Sequence, residues 1–330
     1  MKINWSNERI LVTGGGGFLG SHMVEKLQAR GCHDVFVFSS KDFDLTKEEQ
    51  VSRLFREHPA DIVIHLAGLV GGIYPNQQRP AQFFYQNLMM GVLTMHYTWK
   101  SGAQKFVCAG AGCGYPEQAP LPLKEESFWD GFPQKPSYAY SLAKRMLHVQ
   151  SMAYWQQYQF PAIVTIPGNI YGPYDNFDLE NAHVIPALVR KFVEATAADS
   201  GRGQKVVIWG SGRPTRDFVY AGDVAEGMLQ AADMYDSSQL VNLSSGREHT
   251  VREVVEVLTE ITGFKGEVVW DTSKPEGQSR RLFDISKARR DLGYEARTSL
   301  YEGLRVTADW YREHRDEARN LVAVASESKV

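Results

Sequence analysis

Cysteine is scarce in this chain of 330 residues, which contains only Cys32, Cys108 and Cys113. Three cysteines are too few, and odd in number, for a disulfide scaffold, and this is typical of a reducing compartment. An excess of one charge is also missing, because the formal net charge is −3. The sequence therefore has no overall attraction to nucleic acid or to an anionic membrane, and we expect neither as a partner.

Long apolar runs are missing as well. The longest mostly apolar stretch, at 62–74, contains His65 and several glycines and is shorter than the about 20 residues that cross a bilayer. The first ten residues, MKINWSNERI, lack the apolar segment of a signal peptide. We therefore expect a cytoplasmic protein.

Short apolar runs alternate with helical patterns through the first half of the chain. Strands are predicted over 9–14, 34–39, 61–68, 105–110 and 162–169, and helices over 19–31, 47–58, 81–101 and 138–158. Continuous apolar strands separated by helices indicate a parallel sheet covered on both faces. The predicted fold class is α/β, a Rossmann doubly wound parallel sheet with a smaller α/β substrate-binding lobe.

The pattern changes after Tyr171. Gly, Pro, Asn and Asp cluster at 171–183, a hairpin-like pair of strands is predicted over 205–220, and an amphipathic helix over 250–263 ends at Gly263. We interpret 1–170 as a dinucleotide-binding Rossmann domain with returning segments near 216–245, and 171–330 as mainly a substrate-binding lobe. The final residues, ASESKV, are expected to fray.

A glycine-rich turn follows the first predicted strand, with the spacing Gly14-x-x-Gly17-x-x-Gly20. In such a turn the first glycine permits the bend, the second lets the backbone approach a pyrophosphate, and the third lets helix and strand pack closely. The N-terminus of the helix then faces the phosphates. The pattern indicates a dinucleotide site, although a merely flexible turn has a similar composition.

The end of the second predicted strand bears on the choice between NAD and NADP. It reads Ser39-Ser40-Lys41, with no carboxylate before Asp42. A carboxylate would hold the ribose hydroxyls of NAD, whereas hydroxyls and a cation suit the 2′-phosphate of NADP. We expect NADP, with NAD as the alternative, and a solvated turn is the competing interpretation.

Tyr140 and Lys144 lie four residues apart on a predicted helix. Residues i and i+4 share a helix face, so the ammonium group is expected beside the phenol. A neighbouring cation favours the phenolate, and tyrosine can then act as an acid or a base near neutral pH. The pair is therefore a candidate catalytic site.

With these motifs the chain resembles the extended short-chain dehydrogenases/reductases (the NAD-dependent epimerase/dehydratase family), and within them the GDP-L-fucose synthase group. The resemblance covers about residues 10–311 and includes the general motifs HLAG (65–68) and PGNIYGP (167–173). The motifs more specific to the group are VGGI (70–73), FFYQNLMM (83–90), CGYP (113–116), YGPYDNF (171–177), HVIPALVRK (183–191) and WGSGRPTRDFVY (209–220).

The resemblance implies an NADP-dependent epimerase/reductase acting on a 4-keto nucleotide sugar, and the resembled group leads us to expect a GDP-linked sugar. Family members epimerise the sugar through enolates with a cysteine and a histidine, at positions matched by Cys113 and His183, and then reduce the ketone with the tyrosine as proton donor. Inversion requires a proton removed from one face and a proton delivered to the other. The alternatives are that Cys113 is a small buried hydrophobic residue and that His183 merely begins a helix.

The resemblance also implies which residues surround the two ligands. The cofactor would contact Phe18, Leu19, Asp44, Leu45, Ala67, Gly68, Asn87, Pro167, Asn169, Ile170 and His183, besides the three glycines, Ser39, Lys41, Tyr140 and Lys144. The substrate would contact Ala111, Asn169, Val184, Lys191, Trp209, Arg216 and Arg281. No metal ligands are predicted, and family members suggest a homodimer through the helices at 81–101 and 138–158.

The pyrophosphate of a nucleotide sugar needs cations. Arg216 is the best candidate because it lies between a glycine-rich turn and a buried-looking strand, but Arg216, Lys191 and Arg281 could each be a solvated surface charge. Trp209 could stack on the base or fill the core of the lobe. Asn169 ends a predicted strand, where parallel sheets bind ligands, but it also suits a plain turn.

One hydroxyl of the family is missing. Family members place a serine or threonine four residues before the tyrosine matched by Tyr115, and here that position is Ala111. Loss of such a donor can cost about 10²–10³ in rate. Three explanations stay open: water or a backbone N–H replaces the hydroxyl, the chain is an epimerase with little or no net reduction, or it is a catalytically silent dinucleotide-binding protein.

The residues beside Ala111 bear on two further alternatives. The small residues Gly110, Ala111 and Gly112 could make room for a larger sugar. A 4,6-dehydratase is rejected, because the Asp-Glu pair of those enzymes is replaced by Gly112 and Cys113.

Overall fold

A parallel β-sheet with helices on both faces forms the main body of the protein. The computed structural model describes residues 2–179, 181–197, 199–274, 277–316 and 318. Its strands in chain order are β1 (Arg9–Thr13), β2 (Asp34–Val37), β3 (Ile62–His65), β4 (Lys105–Ala109), β5 (Ala162–Pro167), β6 (Asn169–Tyr171), β7 (Lys205–Trp209), β8 (Thr215–Arg216), β9 (Phe218–Tyr220), β10 (Leu240–Leu243), β11 (His249–Thr250) and β12 (Glu267–Asp271). Its α-helices are α1 (Phe18–Ala29), α2 (Glu48–Glu57), α3 (Ile73–Gln78), α4 (Pro80–Lys100), α5 (Tyr138–Tyr158), α6 (Val184–Ala195), α7 (Ala221–Met234), α8 (Val251–Thr262), α9 (Ser286–Leu292) and α10 (Leu300–Glu313).

The large sheet has the strand order β10-β5-β4-β3-β1-β2, and all its neighbouring strands are parallel. The chain runs from β1 to β2 on one side and then returns to β3 on the other side of β1. In doubly wound sheets a crevice opens at this reversal, beyond the carboxyl ends of the strands. The α/β class with a doubly wound parallel sheet is confirmed.

The two faces of the sheet support two separate apolar cores. Ile10 and Val12 of β1 pack in the core that contains Met23 of α1 and Met228 of α7. Leu11, between them, packs in the opposite core with residues of α2, α4 and α5. Successive side chains of a strand point to opposite faces, so a strand covered on both sides is apolar throughout. This is why the runs of the first half are continuous rather than alternating.

A smaller lobe is built around α6, α8 and α10. Phe192, Leu258 and Tyr311 from these helices belong to one buried cluster. The helix predicted over 250–263 is confirmed as α8. Thr250 and Glu253 form a reciprocal capping box at its start, and Gly263 ends it in the left-handed conformation with φ of 67°.

The predicted hairpin over 205–220 is wrong. The segment contains three strands, and each pairs with a distant segment: β7 with β12, β8 with β11, and β9 with β6. Gly212 lies in the turn after β7 with φ of 77°, and a Cβ there would lie 2.5 Å from the Trp270 ring. The turn therefore packs against β12 and does not bring β7 back onto β8 or β9.

The remaining elements of the first half are confirmed, with ends within three residues of the prediction. The division of the chain near residue 170 stays a prediction, and the expected fraying of ASESKV lies outside the described residues. Within the described ranges, no helix has the length and apolar character needed to cross a membrane.

Gly20 is the most tightly enclosed glycine of the first turn. A Cβ at Gly20 would lie 2.6 Å from the Cα atom of Gly15 and nearer still to the carbonyl oxygen of Gly14. We expect Gly20→Ala to lower the free energy of unfolding by about 1–3 kcal/mol through overpacking, as measured by denaturant unfolding. Gly16→Ala is the matched control, because a Cβ at Gly16 has no atom within 4 Å. Equal stability of the two variants would contradict this account.

Candidate active site

The glycine turn after β1 leaves its helix terminus open to an anion. Gly14 has φ of +70°, and a Cβ there would lie 2.7 Å from the backbone nitrogen of Ala67. Gly17 is the N-cap of α1, and no side chain caps the helix, which begins with Phe18 and Leu19. The first N–H groups of a helix have no partner within the helix. These groups and the helix dipole favour a phosphate at this turn.

At the end of β2, one of the hydroxyls expected to bind the 2′-phosphate of NADP already has a partner within the protein. Ser39 donates its hydroxyl to Asp42 at 2.7 Å and its backbone N–H to the same oxygen at 2.9 Å. These bonds lower the pKa of the Asp42 carboxyl. The hydroxyl of Ser39 is therefore already engaged, whereas Ser40 and Lys41 are exposed.

Asp44 and Leu45 are also engaged within the protein. Asp44 accepts hydrogen bonds from the hydroxyl and the N–H of Thr46, which lower its pKa. The Leu45 side chain is buried in the core beneath α2, α4 and α5. The contacts of these two side chains therefore give no sign of a ligand role, and the Asp44 N–H also donates within the protein, to Gln50 at 2.7 Å.

The loop after β3 is held next to α5, the helix that carries Tyr140 and Lys144. Asn87 of α4 accepts the N–H of Leu69 and donates to the carbonyl oxygens of Leu69 and Phe83. A Cβ at Gly68 would lie 3.0 Å from the Asn87 Oδ1 atom and 3.5 Å from the Lys144 Nζ atom. The predicted cofactor residues Gly68, Asn87 and Lys144 thus lie together, with Asn87 fixing the loop.

Tyr140 and Lys144 lie on the first turns of α5, at the carboxyl end of β4. The Lys144 Nζ atom donates to the Ala109 carbonyl at 3.2 Å and lies 5.9 Å from the centre of the Tyr140 ring. Burial lowers the pKa of Lys144 and raises that of Tyr140, and negative charge on Cys113 would raise the latter further. In the protein alone burial decides the direction for Tyr140, and the expectation that Lys144 favours the phenolate stays a prediction. The phenol is protonated, which is the form that donates a proton.

Cys113 lies in a short 3₁₀ helix, Gly112–Gly114, directly beyond β4. It is partly exposed, whereas Cys32 and Cys108 are buried. Burial raises the pKa of Cys32, and it raises that of Cys108 to about 12. The alternative that Cys113 is a buried hydrophobic residue therefore applies to the other two cysteines and not to Cys113.

His183 is the N-cap residue of α6, with no side-chain cap bond. Solvent reaches its side chain, yet burial by the surrounding protein lowers its pKa. This combination is expected for a side chain that lines a concave surface. The imidazole is therefore mainly neutral near pH 7, the form that accepts a proton.

Ala111 is buried at the position of the missing hydroxyl, with 7% of its surface exposed. Among the described residues, the backbone N–H groups of Gly112 and Cys113 have no acceptor. A Cβ at Gly110 would lie 2.6 Å from Ile166, and one at Gly112 would lie 2.7 Å from Phe283. The glycines therefore open no space for a larger sugar, because neighbouring side chains already fill it.

Arg216 and Arg281 form the cationic side of the site. Arg216 donates to the Thr215 carbonyl at 2.7 Å, and Arg281 donates to the Gly112 carbonyl. In the described part of the chain no carboxylate forms an ion pair with either side chain. Burial lowers the pKa of Arg216, and the charge of Arg281 lowers it further. Two neighbouring cations without a carboxylate are typical of an anion-binding site.

The other predicted substrate residues differ in their contacts. Lys191 donates to the Val207 carbonyl at 2.8 Å. Trp209 is 62% exposed, with the Lys274 Nζ atom 5.6 Å from its ring centre, so it does not fill the core of the lobe. Asn169 begins β6, and its N–H donates to the Asp217 carbonyl. Val184 begins α6 and is half-buried.

Pro167 and Ile170 flank the same segment. Pro167 ends β5 and is buried, whereas Ile170 is half-buried against the core beneath α1 and α7. Within the described residues, no group of three His, Cys, Asp or Glu side chains is arranged to hold a metal ion.

Residues 10–244 match the family model described as NAD dependent epimerase/dehydratase family. The chain belongs to this family. A putative GDP-L-fucose synthase 2 of Arabidopsis thaliana is 38% identical over 306 residues, which are 93% of this chain and 92% of the relative. The similarity thus covers nearly the full length of both chains.

Solved structures of the epimerase/dehydratase family have the same fold. A GDP-D-glycero-L-gluco-heptose synthase of Campylobacter jejuni, crystallised with NADPH, is 28% identical with a TM-score of 0.86 over 93% of this chain and 99% of that chain. A GDP-L-fucose synthetase of Naegleria fowleri bound to NADP is 27% identical with a TM-score of 0.87 over 97% and 98%. The resemblance to the GDP-L-fucose synthase group is confirmed.

Three residues that support this family site were not identified from the sequence. Asp217, fully buried, accepts backbone N–H groups of Ser245 and Phe283 and so ties together the segments that carry Arg216 and Arg281. Asn242 of β10 accepts the hydroxyl of Tyr115, and Arg145 donates to the turn of Cys113. A polar residue inside an apolar pattern, as in LVNL of β10, was the available signal.

Proposed function

We propose that the chain is an NADP-dependent epimerase/reductase that acts on a 4-keto nucleotide sugar, with a GDP-linked sugar as substrate. The observation that carries the proposal is the gathering of Tyr140, Lys144 and Cys113 at the carboxyl end of β4. The names of the relatives, GDP-L-fucose synthase and GDP-heptose synthase, support a GDP-sugar. The NADPH and NADP of the two solved structures support the cofactor.

The residues of the first turn fit a dinucleotide. A Cβ at Gly14 or Gly20 would collide with backbone atoms, so the tight turn requires glycine at both positions, and no side chain caps the start of α1. Lys41 is the exposed cation at the end of β2 that would meet a 2′-phosphate. When bound, NADPH supplies the hydride for reduction of the ketone.

Cys113 and His183 are the acid–base pair of the epimerisation. One of them takes a proton from the carbon beside the ketone and leaves an enolate. The other returns a proton to the opposite face of that carbon, so that the configuration inverts and the number of protons is unchanged. The neutral imidazole of His183 fits the role of base.

Tyr140 is the acid of the reduction. Burial keeps its phenol protonated, so it can donate that proton to the oxygen that becomes the hydroxyl. Lys144, fixed to the Ala109 carbonyl, then lies beside the phenolate and stabilises its charge. Arg216 and Arg281 would hold the pyrophosphate of the substrate.

Ala111 leaves the ketone without the usual hydroxyl donor. The free N–H groups of Gly112 and Cys113 support the explanation that the backbone or a water replaces it. With Tyr140 and Lys144 retained, an active reductase is favoured over an epimerase without reduction and over a silent dinucleotide-binding protein.

We also propose a cytoplasmic homodimer. Phe84 and Tyr85 of α4 and Val149, Met152 and Tyr158 of α5 are exposed apolar side chains on two helices that pack together. Such side chains on neighbouring helices are typical of an interface. The free thiols fit a reducing compartment. We expect light scattering to give twice the mass of 37.2 kDa, and Tyr85→Glu with Met152→Glu to give the monomer mass.

The activity is tested with GDP-4-keto-6-deoxy-mannose and NADPH in D₂O. We expect deuterium uptake by mass spectrometry together with loss of NADPH absorbance. Cys113→Ser should reduce uptake by at least about 10²-fold, and Tyr140→Phe should reduce NADPH oxidation by a similar factor while uptake continues.

Each outcome of this experiment separates one alternative. Uptake without oxidation in the wild-type chain would indicate an epimerase without reduction. Neither signal on any 4-keto nucleotide sugar, with NADPH still bound, would indicate the silent dinucleotide-binding protein.

Ala111→Ser tests how the missing donor is replaced. If backbone or water already supplies the hydrogen bond, we expect kcat for NADPH oxidation to change by less than about tenfold. If nothing replaces the missing donor, the new serine hydroxyl should instead raise kcat for NADPH oxidation by about 10²–10³-fold. Ala109→Ser, at a half-buried residue before the turn, is the control for the added hydroxyl.

A further inference from the structure

Arg145 follows Lys144 on α5 and is buried, with 4% of its surface exposed. Its Nε atom donates to the carbonyl oxygen of Gly114 at 2.6 Å. Its Nη1 atom donates to the carbonyl oxygen of Gly131 at 2.8 Å. One side chain thus joins the catalytic helix to the turn of Cys113 and to the segment that precedes α5.

The charge of Arg145 has no carboxylate partner among the described residues. Its guanidinium lies 5.3 Å from the Phe128 ring centre and 5.2 Å from that of Trp129, and its Nη2 atom is buried without a hydrogen-bond partner. A buried cation without an anion is costly, and apolar residues of similar volume often replace such charges without loss of stability. Packing alone therefore does not account for an arginine at this position.

Cys113 is the group next to this charge. The carbonyl on its N-terminal side, Gly112, accepts from Arg281, and the carbonyl on its C-terminal side, Gly114, accepts from Arg145. Burial lowers the pKa of Arg145, whereas negative charge on Cys113 raises it. The guanidinium therefore lies close enough to Cys113 to respond to its charge. Negative charge on Cys113 also raises the pKa of Tyr140, Lys144 and Arg281.

We propose that Arg145 is a positioning residue that holds the Gly112–Gly114 turn so that Cys113 can transfer a proton to or from the substrate. The inference rests on the acid–base role of Cys113 in the proposed function. Arg145 acts through the turn and does not itself contact substrate or cofactor. Arg281 holds the same turn from the substrate lobe, so Arg145 is the anchor on the side of the catalytic helix.

The test compares Arg145→Met and Arg145→Lys with the wild-type chain. Methionine keeps the apolar stem and removes the donors and the charge, and lysine keeps the charge but cannot bridge both carbonyl oxygens. We expect Arg145→Met to lower kcat for deuterium uptake from D₂O into GDP-4-keto-6-deoxy-mannose by about tenfold or more, with KM changed less than about threefold, because misplacement of a catalytic group slows chemistry. The kcat of Arg145→Lys should lie between that of the wild-type chain and that of Arg145→Met.

A second measurement is independent of the sugar. Iodoacetamide labelling of the full chain, followed by peptide mass spectrometry, reports Cys113, while the buried Cys32 and Cys108 stay unlabelled. We expect the labelling rate of Cys113 at pH 7.5 to change at least about threefold in Arg145→Met, because loss of both carbonyl contacts alters the position and accessibility of its thiol. Arg30→Met is the control: Arg30 follows α1 at the opposite edge of the sheet and pairs with Glu226.

The outcomes separate the two proposals. Unchanged kcat and unchanged labelling in Arg145→Met would overturn the role of Arg145. If this variant does not fold, wild-type kcat and labelling in Arg145→Lys would overturn it as well. Absence of deuterium uptake in the wild-type chain would overturn the proposed function. The labelling rates alone would then test whether Arg145 positions the turn of Cys113.

Discussion

The parallel pairing of β1, β3, β4 and β5 is the constraint on which the candidate site depends. Parallel strands place all their carboxyl ends at one edge of the sheet, so residues that are far apart in sequence become neighbours there. Thr13 pairs with His65 and His65 with Cys108, and the chain beyond each strand supplies the glycine turn, Gly68 and Cys113 in adjacent positions. A change of register in one strand would move its contribution away from the others.

The same edge collects positive charge in a chain whose net charge is negative. Lys144, Arg145, Arg216 and Arg281 each donate to a backbone carbonyl oxygen. Carbonyl oxygens orient these cations without neutralising them, so the charge remains available to a thiolate, a phenolate or a phosphate. The site therefore combines rigid placement with an electrostatic preference for anions, and both properties derive from backbone contacts.

Local patterns allowed much of this arrangement to be predicted. The glycine turn and the Tyr140/Lys144 pair depend on spacing within one strand–helix unit, and continuous apolar strands depend on coverage of both faces. The predicted hairpin over 205–220 was wrong because β7 pairs with β12 and β9 with β6, and no local pattern reveals such distant pairing. The raised pKa of Tyr140 and the proposed role of Arg145 depend on burial by distant segments, and spacing along a helix does not report burial.

Phe283 fills the space that a side chain at position 112 would need, since a Cβ there would lie 2.7 Å from its ring. The two positions therefore depend on each other during divergence. A lineage that acquires a side chain at 112 must first, or at the same time, move or replace the ring at 283 and accommodate the Pro167 carbonyl oxygen, which would lie 3.1 Å from the new Cβ. Position 112 is thus closed to single-step evolution.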